Sequence, residues 1–506
     1  MAKTPSDRVF QLIKSLNGSE KRYFHIATTK DNGSKYLQLF AAMEEAPLFD
    51  DAVFQEAVYG KKRVEGKKFS ELKSYLYDSI CQQLVQYDAS TSHEYTLRQW
   101  LLAVKSLYQR RLFHDCRYLL KKVQKMAENY EHFEVLLEVL HWEKLLTYAD
   151  ADIDYLDKNL ADMQERESLY ISQMSNLKAY EGLFYQLYLT IRKNPLHSEE
   201  RSSLTERIIE HPLLASETAC LSYRAKVWYY RIQALLQHQL RRMDQFYAQG
   251  KQLIAVMEEK PQWLKEDVSQ YIAALSNFAT SCGYQGCYDE MRQTLQKLRK
   301  VTPVTLDDKL KIHRQYFTNY FGLCINTGNF TEGLTVLNDH LSEVEQFDKQ
   351  LFERSSFYFQ YFYIYFGTGN LDKALHYLNE WLNQPRSAEN QDLQSLARLL
   401  NLVVHFEMGN SLLVGSLLRS TQRLLQKSSQ LNAFEQLFIQ TIRQANQQTK
   451  RSSQRAVFSQ GVEQLKTLTL RPEDKAMLRF FDFESWLESQ VSSLTFEQVV
   501  QQRQLK

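Results

Sequence analysis

Four short stretches decide the fold of this chain: Gly286-Cys287-Tyr288-Asp289-Glu290, Gly328-Asn329-Phe330-Thr331-Glu332, Gly369-Asn370-Leu371-Asp372-Lys373 and Gly409-Asn410. Each glycine follows one apolar helical stretch and precedes another, and successive glycines lie 42, 41 and 40 residues apart. Glycine adopts the left-handed backbone conformation that ends many helices without steric cost. The pattern therefore predicts helical hairpins with a period of about 40 residues, stacked into an all-α solenoid.

The composition of the 506-residue chain agrees with long helices. Glycine (16 residues) and proline (8 residues), which interrupt helices, are both scarce. A solenoid grows in one dimension, so a chain of this length need not divide into several globular domains. The formal net charge of +2 argues against a protein that coats nucleic acid by charge alone.

Several features predict a cytoplasmic protein without membrane contact. The N-terminal residues lead into an amphipathic helix and lack the apolar core of a signal peptide. The aromatic run at residues 357–366 is too short to cross a bilayer. We expect it to be a helix buried between neighbours, since it is apolar all round. The six cysteines contain no CxxC pair, which favours reduced thiols.

We divide the chain into three parts. Residues 1–90 lack the repeat glycines and are predicted to form an N-terminal helical cap or small domain. Residues 91–430 are predicted to hold the paired helices of the repeats. Residues 431–506 are predicted to form a C-terminal helical cap region, with a final helix at residues 472–491.

Local signals refine this division. Residues 111–116 stand in place of the glycine turn between two predicted helices. Ser19 is predicted to cap a helix that begins at Glu20. A break between helices is predicted near residue 167, and the polar residues 445–453 are predicted to form a loop.

Two stretches resemble the tetratricopeptide repeat family. Residues 320–333 and 361–374 look like the end of that family's first helix, its turn and the start of its second helix, with Ala374 at the family's small-residue position. The resemblance covers about residues 264–428. The family repeats every 34 residues, roughly six fewer than this chain, so the resemblance implies hairpins with longer helices.

The resemblance also implies which residues face a concave groove. Members that clamp a peptide carboxylate carry Lys, Arg and Asn on this face, whereas Gly322, Tyr363 and Val403 stand at the asparagine position here. An apolar groove suits an amphipathic helix from a protein or peptide partner, or a C-terminal segment of this chain. The predicted groove residues are Thr318, Phe359, Tyr363, Phe366, Leu399, Val403 and Phe406.

Charge is distributed unevenly along the chain. Residues 126–181 contain 13 acidic and 4 basic residues, a net charge of −9, whereas residues 408–462 contain 1 acidic and 7 basic residues, a net charge of +6. A basic patch of Arg419, Arg423 and Lys427 follows the spacing i, i+4, i+8 of one helix face. This patch is either a solvated face or a docking surface for an acidic protein, a second copy or nucleic acid.

Two stretches resemble known metal-binding or phosphate-binding motifs, but each lacks residues that its motif requires. Asp150-Ala151-Asp152-Ile153-Asp154 begins like a calcium loop, but Tyr155 replaces the required glycine and Ala161 the bidentate glutamate, so a capped helix start is favoured. Residues 60–68 resemble a phosphate-binding loop but have one residue too many between the glycines. We expect no catalytic residue, no cofactor and no metal.

The sequence therefore predicts a non-enzymatic scaffold for protein–protein interaction. Its expected partner is a protein or peptide, and the charged stretches also allow association of two copies. The alternative is a regulatory protein whose N-terminal helical region contacts nucleic acid while the repeats sense a peptide or protein. Retention on DNA or heparin resin, lost when the N-terminal region is removed, would favour the alternative.

Overall fold

The computed structural model describes residues 7–29, 33–60, 66–88, 92–193, 207–347, 357–383, 391–428, 433–468, 478 and 480–504. All regular structure in these residues is helical, as the sequence predicts. In chain order the α-helices are α1 (Arg8–Ser15), α2 (Gly18–Ala27), α3 (Lys35–Glu45), α4 (Asp51–Tyr59), α5 (Gly66–Asp88), α6 (His93–Gln109), α7 (Phe113–Asn129), α8 (Phe133–Ala149), α9 (Ile153–Lys193), α10 (Tyr223–Gln239), α11 (Met243–Glu258), α12 (Pro261–Leu264), α13 (Val268–Gln285), α14 (Tyr288–Lys300), α15 (Leu306–Thr327), α16 (Phe330–Val344), α17 (Tyr358–Gly367), α18 (Leu371–Leu382), α19 (Gln391–Glu407), α20 (Ser411–Ser428), α21 (Ala433–Gln447), α22 (Arg451–Thr467), α23 (Phe483–Val491) and α24 (Phe496–Gln504).

Eight turns in the described residues end a helix in the same way. At Gly328, φ is +70°, and the amide of the following Asn329 donates a hydrogen bond of 2.9 Å to the carbonyl of Cys324. This bond, from the second residue after the helix back to its last turn, defines the Schellman motif. The left-handed residues of the eight turns are Arg111, Glu131, Ala151, Arg241, Gly286, Gly328, Gly369 and Gly409.

Contacts divide the chain into two compact units, Met1–Ser175 and Asn176–Lys506, with the boundary inside α9. In the first unit, α1 to α5 share a hydrophobic core that includes Phe24, Phe40 and Phe54. Further along, α6 packs on α7 and α7 packs on α8.

In the second unit, helices pack against both the next helix and the next but one. The pair α13 and α15 is in contact, as is the pair α15 and α17. Side-chain hydrogen bonds join residues about 40 positions apart, close to the spacing of 40 to 42 residues between the glycine turns. Examples with separations of 39 or 40 residues are Lys251 with Glu290 (2.9 Å), Lys297 with Glu258 (2.9 Å), Ser276 with Gln315 (2.7 Å) and Arg292 with Glu332 (2.6 Å).

Four local predictions were wrong. The predicted final helix at residues 472–491 is interrupted at residues 481 and 482, so α23 begins at Phe483, and it is not the final helix because α24 follows it. The break near residue 167 is absent, because residues 161–175 contain no glycine or proline and Met163 and Tyr170 continue one buried stripe along α9. The cap of α2 is Asn17, not Ser19, because the Asn17 side chain accepts hydrogen bonds from two amides of the first helical turn. Residues 445–453 are helical except for 448–450.

Candidate functional site

The predicted groove row is covered by this chain's own C-terminal residues. Tyr363 and Phe366 on α17, and Leu399 and Val403 on α19, are each between 0% and 4% exposed. The ring centroid of Phe481 lies 5.0 Å from that of Tyr363 and 5.5 Å from that of Phe366. Of the two occupants allowed by the sequence, this structure therefore has the intramolecular one.

The remaining predicted groove residues lie at the margins of this cover. Phe406 is half-buried, with its ring 5.5 Å from that of Phe458 and 6.3 Å from that of Trp486. Phe359 is half-buried against Trp381, at a centroid distance of 4.8 Å. Thr318 is exposed, and its carbonyl accepts a hydrogen bond from the side chain of Gln360. Six of the seven residues thus meet in one core, and Thr318 does not.

The C-terminal segment, residues 480–504, is held by polar contacts as well as aromatic ones. Trp486 is fully buried, and its Nε1 donates a hydrogen bond of 2.7 Å to the Glu407 carboxylate. Burial raises the pKa of Glu407, although the bonds from Trp486 and Gln490 lower it. The amide of Asp482 donates a 3.0 Å bond to the hydroxyl of Tyr363. These bonds fix the register of the segment against α17 and α19.

Helix α24 closes onto the turn at Gly328. The Gln501 side chain donates a hydrogen bond of 3.0 Å to the Gly328 carbonyl, and a Cβ added at Gly328 would lie 3.0 Å from the Gln501 amide. The carboxylate of Glu497 accepts from the amide of Thr331 at 3.2 Å, at the N-terminus of α16 where the helix dipole favours negative charge. Glycine is therefore needed at 328 for close approach as well as for its positive φ.

The predicted groove is part of the protein core in this structure. Four aromatic side chains of the C-terminal segment, Phe481, Phe483, Trp486 and Phe496, are between 0% and 8% exposed. Burial of each contributes about 1.5–3 kcal/mol, so their removal together would cost on the order of 6–12 kcal/mol. A separate partner protein could bind the predicted groove residues only by displacing the C-terminal segment, and its binding would have to offset this cost. The aromatic row, as we call these groove residues, is therefore a poor recognition surface. The high density of aromatic residues between 480 and 486 is the feature of the sequence from which a buried C-terminal segment could have been predicted.

The predicted basic patch lies on α20. Arg419 and Arg423 are exposed, whereas the side chain of Lys427 lies outside the described residues. A cleft of about 470 Å³ opens between α20 and α21. The residues that line it are Gln422, Gln436, Ile439, Gln440, Arg443, Gln444 and Gln447. We call Arg419, Arg423 and this cleft the basic face.

The basic face lies in a part of the sequence that is almost free of acidic residues. The only acidic residue between 408 and 462 is Glu435, which is 5% exposed. Within the described residues, the ion pairs do not include Arg419 or Arg423. Arg443, beside them, donates to the Gln422 side chain at 2.5 Å. The face can therefore offer guanidinium and amide groups to an incoming carboxylate.

The acidic stretch, by contrast, is partly neutralised internally. Asp150 pairs with Arg117 at 2.6 Å, and Glu167 pairs with Lys144 at 2.6 Å. The Asp152 carboxylate accepts from the Tyr155 amide at 3.1 Å, which makes it a helix cap as the sequence favoured over a calcium ligand. Among the described residues, no group of His, Cys, Asp and Glu side chains could hold a metal ion.

A buried histidine cluster was missed in the sequence. His340 is fully buried, with its Nε2 2.6 Å from the Tyr361 hydroxyl, and the His313 and His340 rings stack with centroids 4.9 Å apart. Burial lowers the pKa of His313 to about 4, although the nearby Glu343 carboxylate raises it. Since both rings are inaccessible to a substrate, we assign the cluster a packing role.

None of the described helices has the length and apolar character needed to cross a membrane. A comparison with protein-family models finds no match for this chain, and a comparison with curated proteins finds no similar sequence. The likeness to tetratricopeptide repeats thus stays a resemblance that rests on the turn residues.

Proposed function

We propose that this chain is a non-enzymatic scaffold for protein–protein interaction in the cytoplasm, built as a solenoid of tetratricopeptide-like hairpins with helical caps. The observation on which this rests is the basic face, where Arg419 and Arg423 are exposed beside a glutamine-lined cleft and form no ion pair within the part of the chain that the structure describes. Helical repeat proteins present extended surfaces of this kind to partner proteins.

Two features support the solenoid. The same Schellman turn recurs in both compact units, although half of its left-handed residues are not glycine. In the second unit, side-chain hydrogen bonds link residues 39 or 40 positions apart, which is the separation expected between equivalent positions in adjacent repeats. Contacts limited to neighbouring repeats are the defining property of solenoids.

The basic face is the proposed partner surface because the aromatic row is filled. Arginine side chains bind carboxylates through paired hydrogen bonds, and glutamine side chains can both donate and accept. Among the described residues between 411 and 468, the exposed large apolar side chains are Leu412 and Leu413, and neither is aromatic. Single-stranded nucleic acid is usually held by aromatic stacking, so an acidic protein fits this face better.

The proposal is tested by affinity capture with a charge-reversed variant. We compare the wild-type chain, Arg419→Glu with Arg423→Glu, and a control with Lys67→Glu and Lys68→Glu, whose net charge changes equally. Lys67 and Lys68 are exposed at the start of α5. Proteins captured by the wild type and the control should be lost with the reversed basic face. Equal capture by all three variants would contradict the proposed surface.

The same variants address the alternative, nucleic-acid contact by the N-terminal region. Its basic residues 61–63 lie outside the described residues, whereas Lys67 and Lys68 lie in the first turn of α5. Retention on DNA resin that is lost with the lysine reversals and kept with the arginine reversals would favour the alternative.

A further inference from the structure

Two exposed helix stripes in this chain share one spacing. On α20, the spacing i, i+4, i+7, i+11 is occupied by Leu412, Ser416, Arg419 and Arg423, all exposed. On α9, the same spacing is occupied by Ile153, Asp157, Leu160 and Gln164, also all exposed. We call these the basic stripe and the acidic stripe.

The spacing places each stripe along one side of its helix, because residues three, four, seven and eleven apart share a face. At a rise of 1.5 Å per residue, each stripe is about 16 Å long, so the two match in length. Both begin with a large aliphatic side chain in solvent. Leu412 is 95% exposed and Ile153 is 75% exposed.

The stripes differ in the sign of their charge. Arg419 and Arg423 lie in the part of the chain with a net charge of +6, and Asp157 lies in the part with a net charge of −9. Asp157 is the one carboxylate of the acidic stripe itself, and Asp154, Lys158 and Glu165 are exposed beside it, which leaves an excess of negative charge. Within the described residues, the ion pairs of α9 include neither Asp157 nor Glu165. Each stripe therefore has charge left to pair with the other.

We propose that the acidic stripe of one copy of this protein docks on the basic stripe of a second copy. This inference rests on the proposed function, in which the basic face binds a protein, and names that protein as the same chain. Two aliphatic side chains would be buried at the contact, and the arginines would pair with carboxylates. Because the two stripes are different surfaces, the contact is heterologous, and copies join head to tail.

Light scattering after size-exclusion chromatography tests the association. The wild-type chain has a mass of 59.8 kDa. At low salt, its average mass should exceed this value and rise with concentration. It should fall back to the monomer as salt rises, since the Debye length shortens from about 10 Å at 0.1 M to about 3 Å at 1 M. A monomer at every concentration and salt would overturn the proposal.

Charge exchange identifies the two surfaces. Reversing Arg419 and Arg423 to Glu, or Asp157 and Glu165 to Lys, should each weaken self-association by about tenfold or more. A mixture of the two variants should associate, because each supplies one intact stripe. A chain with all four substitutions should recover self-association, since its stripes are again opposite in charge. The control Lys67→Glu with Lys68→Glu should associate as the wild type does.

The outcomes separate this inference from the proposed function. A quadruple variant that stays monomeric would overturn the pairing of these stripes. If the wild type is monomeric but still captures a different protein through Arg419 and Arg423, the inference is wrong and the proposed function stands. Far-ultraviolet circular dichroism and unfolding midpoints unchanged from the wild type show that each variant is folded. All four altered positions are exposed, so we expect this result.

Discussion

Replacement of Trp486 by alanine tests whether the C-terminal segment is part of the core. The Trp486 ring is fully buried, with centroids 5.6 Å from Phe438 and 5.7 Å from Phe458. Truncation of a buried tryptophan costs about 3–5 kcal/mol. Loss of its hydrogen bond to Glu407 adds about 1 kcal/mol, the lower end of the usual range, because Gln490 still donates to that carboxylate at 2.6 Å. We therefore expect a loss of about 4–6 kcal/mol in the free energy of unfolding.

Two further variants separate packing from hydrogen bonding. Trp486→Phe keeps most of the ring contacts and loses the donor to Glu407, so its cost should be about 1–3 kcal/mol. Phe480→Ala removes a neighbouring aromatic ring that is 47% exposed, and its cost should stay below about 1 kcal/mol. The loss in the free energy of unfolding should therefore be largest for Trp486→Ala, smaller for Trp486→Phe and smallest for Phe480→Ala.

Urea unfolding followed by circular dichroism at 222 nm measures these differences. The two compact units can unfold in separate transitions, so midpoints are compared within one transition rather than over the whole curve. A loss of about 4–6 kcal/mol is a large fraction of the 5–15 kcal/mol typical of a domain, so the affected transition should shift far to lower urea or disappear. If Trp486→Ala and Phe480→Ala unfolded at the same urea concentration, the segment would not be core.

Three other perturbations follow from single residues. Gly367→Ala should lower the free energy of unfolding in urea by about 3 kcal/mol, because its Cβ would lie 2.1 Å from the buried Phe330 ring. Gly409→Ala should lower it by only about 1–2 kcal/mol, because Gly409 has open space around it and only its φ of +75° is unfavourable for alanine. A larger loss for Gly409→Ala than for Gly367→Ala would contradict the packing of Gly367 on Phe330. Arg241→Gly should raise the free energy of unfolding by about 0.5 kcal/mol, because glycine removes the strain of a φ of +58° but loses more backbone entropy on folding. A variant that is less stable than the wild type by more than about 1 kcal/mol would contradict this expectation. His313 is neutral in the fold, because burial lowers its pKa from 6.5 to about 4. The stability that the neutral form contributes is therefore complete above pH 6.5 and is lost as the pH falls toward 4, by up to about 3 kcal/mol. Melting temperatures should fall over this pH range, and they should fall less in His313→Phe.

The hairpin turns could be predicted where glycine marks them and not elsewhere. Gly328 and Gly369 adopt the left-handed conformation expected from sequence, and so does Arg111 in the predicted substitute turn. Glu131 and Ala151 adopt it too, but no local property of Glu or Ala signals a positive φ. Their conformation is imposed by the helices on either side, whose packing outweighs a local strain of about 1–2 kcal/mol.

The resemblance assigned a set of residues to a groove face and left two possible occupants open, and the sequence could not decide between them. The resemblance places Tyr363 and Thr318 on the same side of neighbouring hairpins, yet Tyr363 is 3% exposed and Thr318 is exposed. The difference arises from Phe481 and Asp482, which contact Tyr363 across more than 100 residues of chain. Helical periodicity describes one element at a time, so it contains no information about such a distant cover.

The hydrogen bond from Gln501 to Gly328 spans 173 residues, and this separation has a consequence during synthesis. A ribosome adds about 5–20 residues per second, so the turn at Gly328 waits roughly 10–35 s for its partner helix. During that interval the aromatic side chains of α17 lack their cover, and they are available to chaperones. In a nascent chain that is released before Phe481 is added, the aromatic side chains of α17 would never acquire this cover. Burial of these α17 side chains therefore depends on the synthesis of residues 480–504, and we expect a chain that ends before Phe481 to be cleaved more readily by proteases.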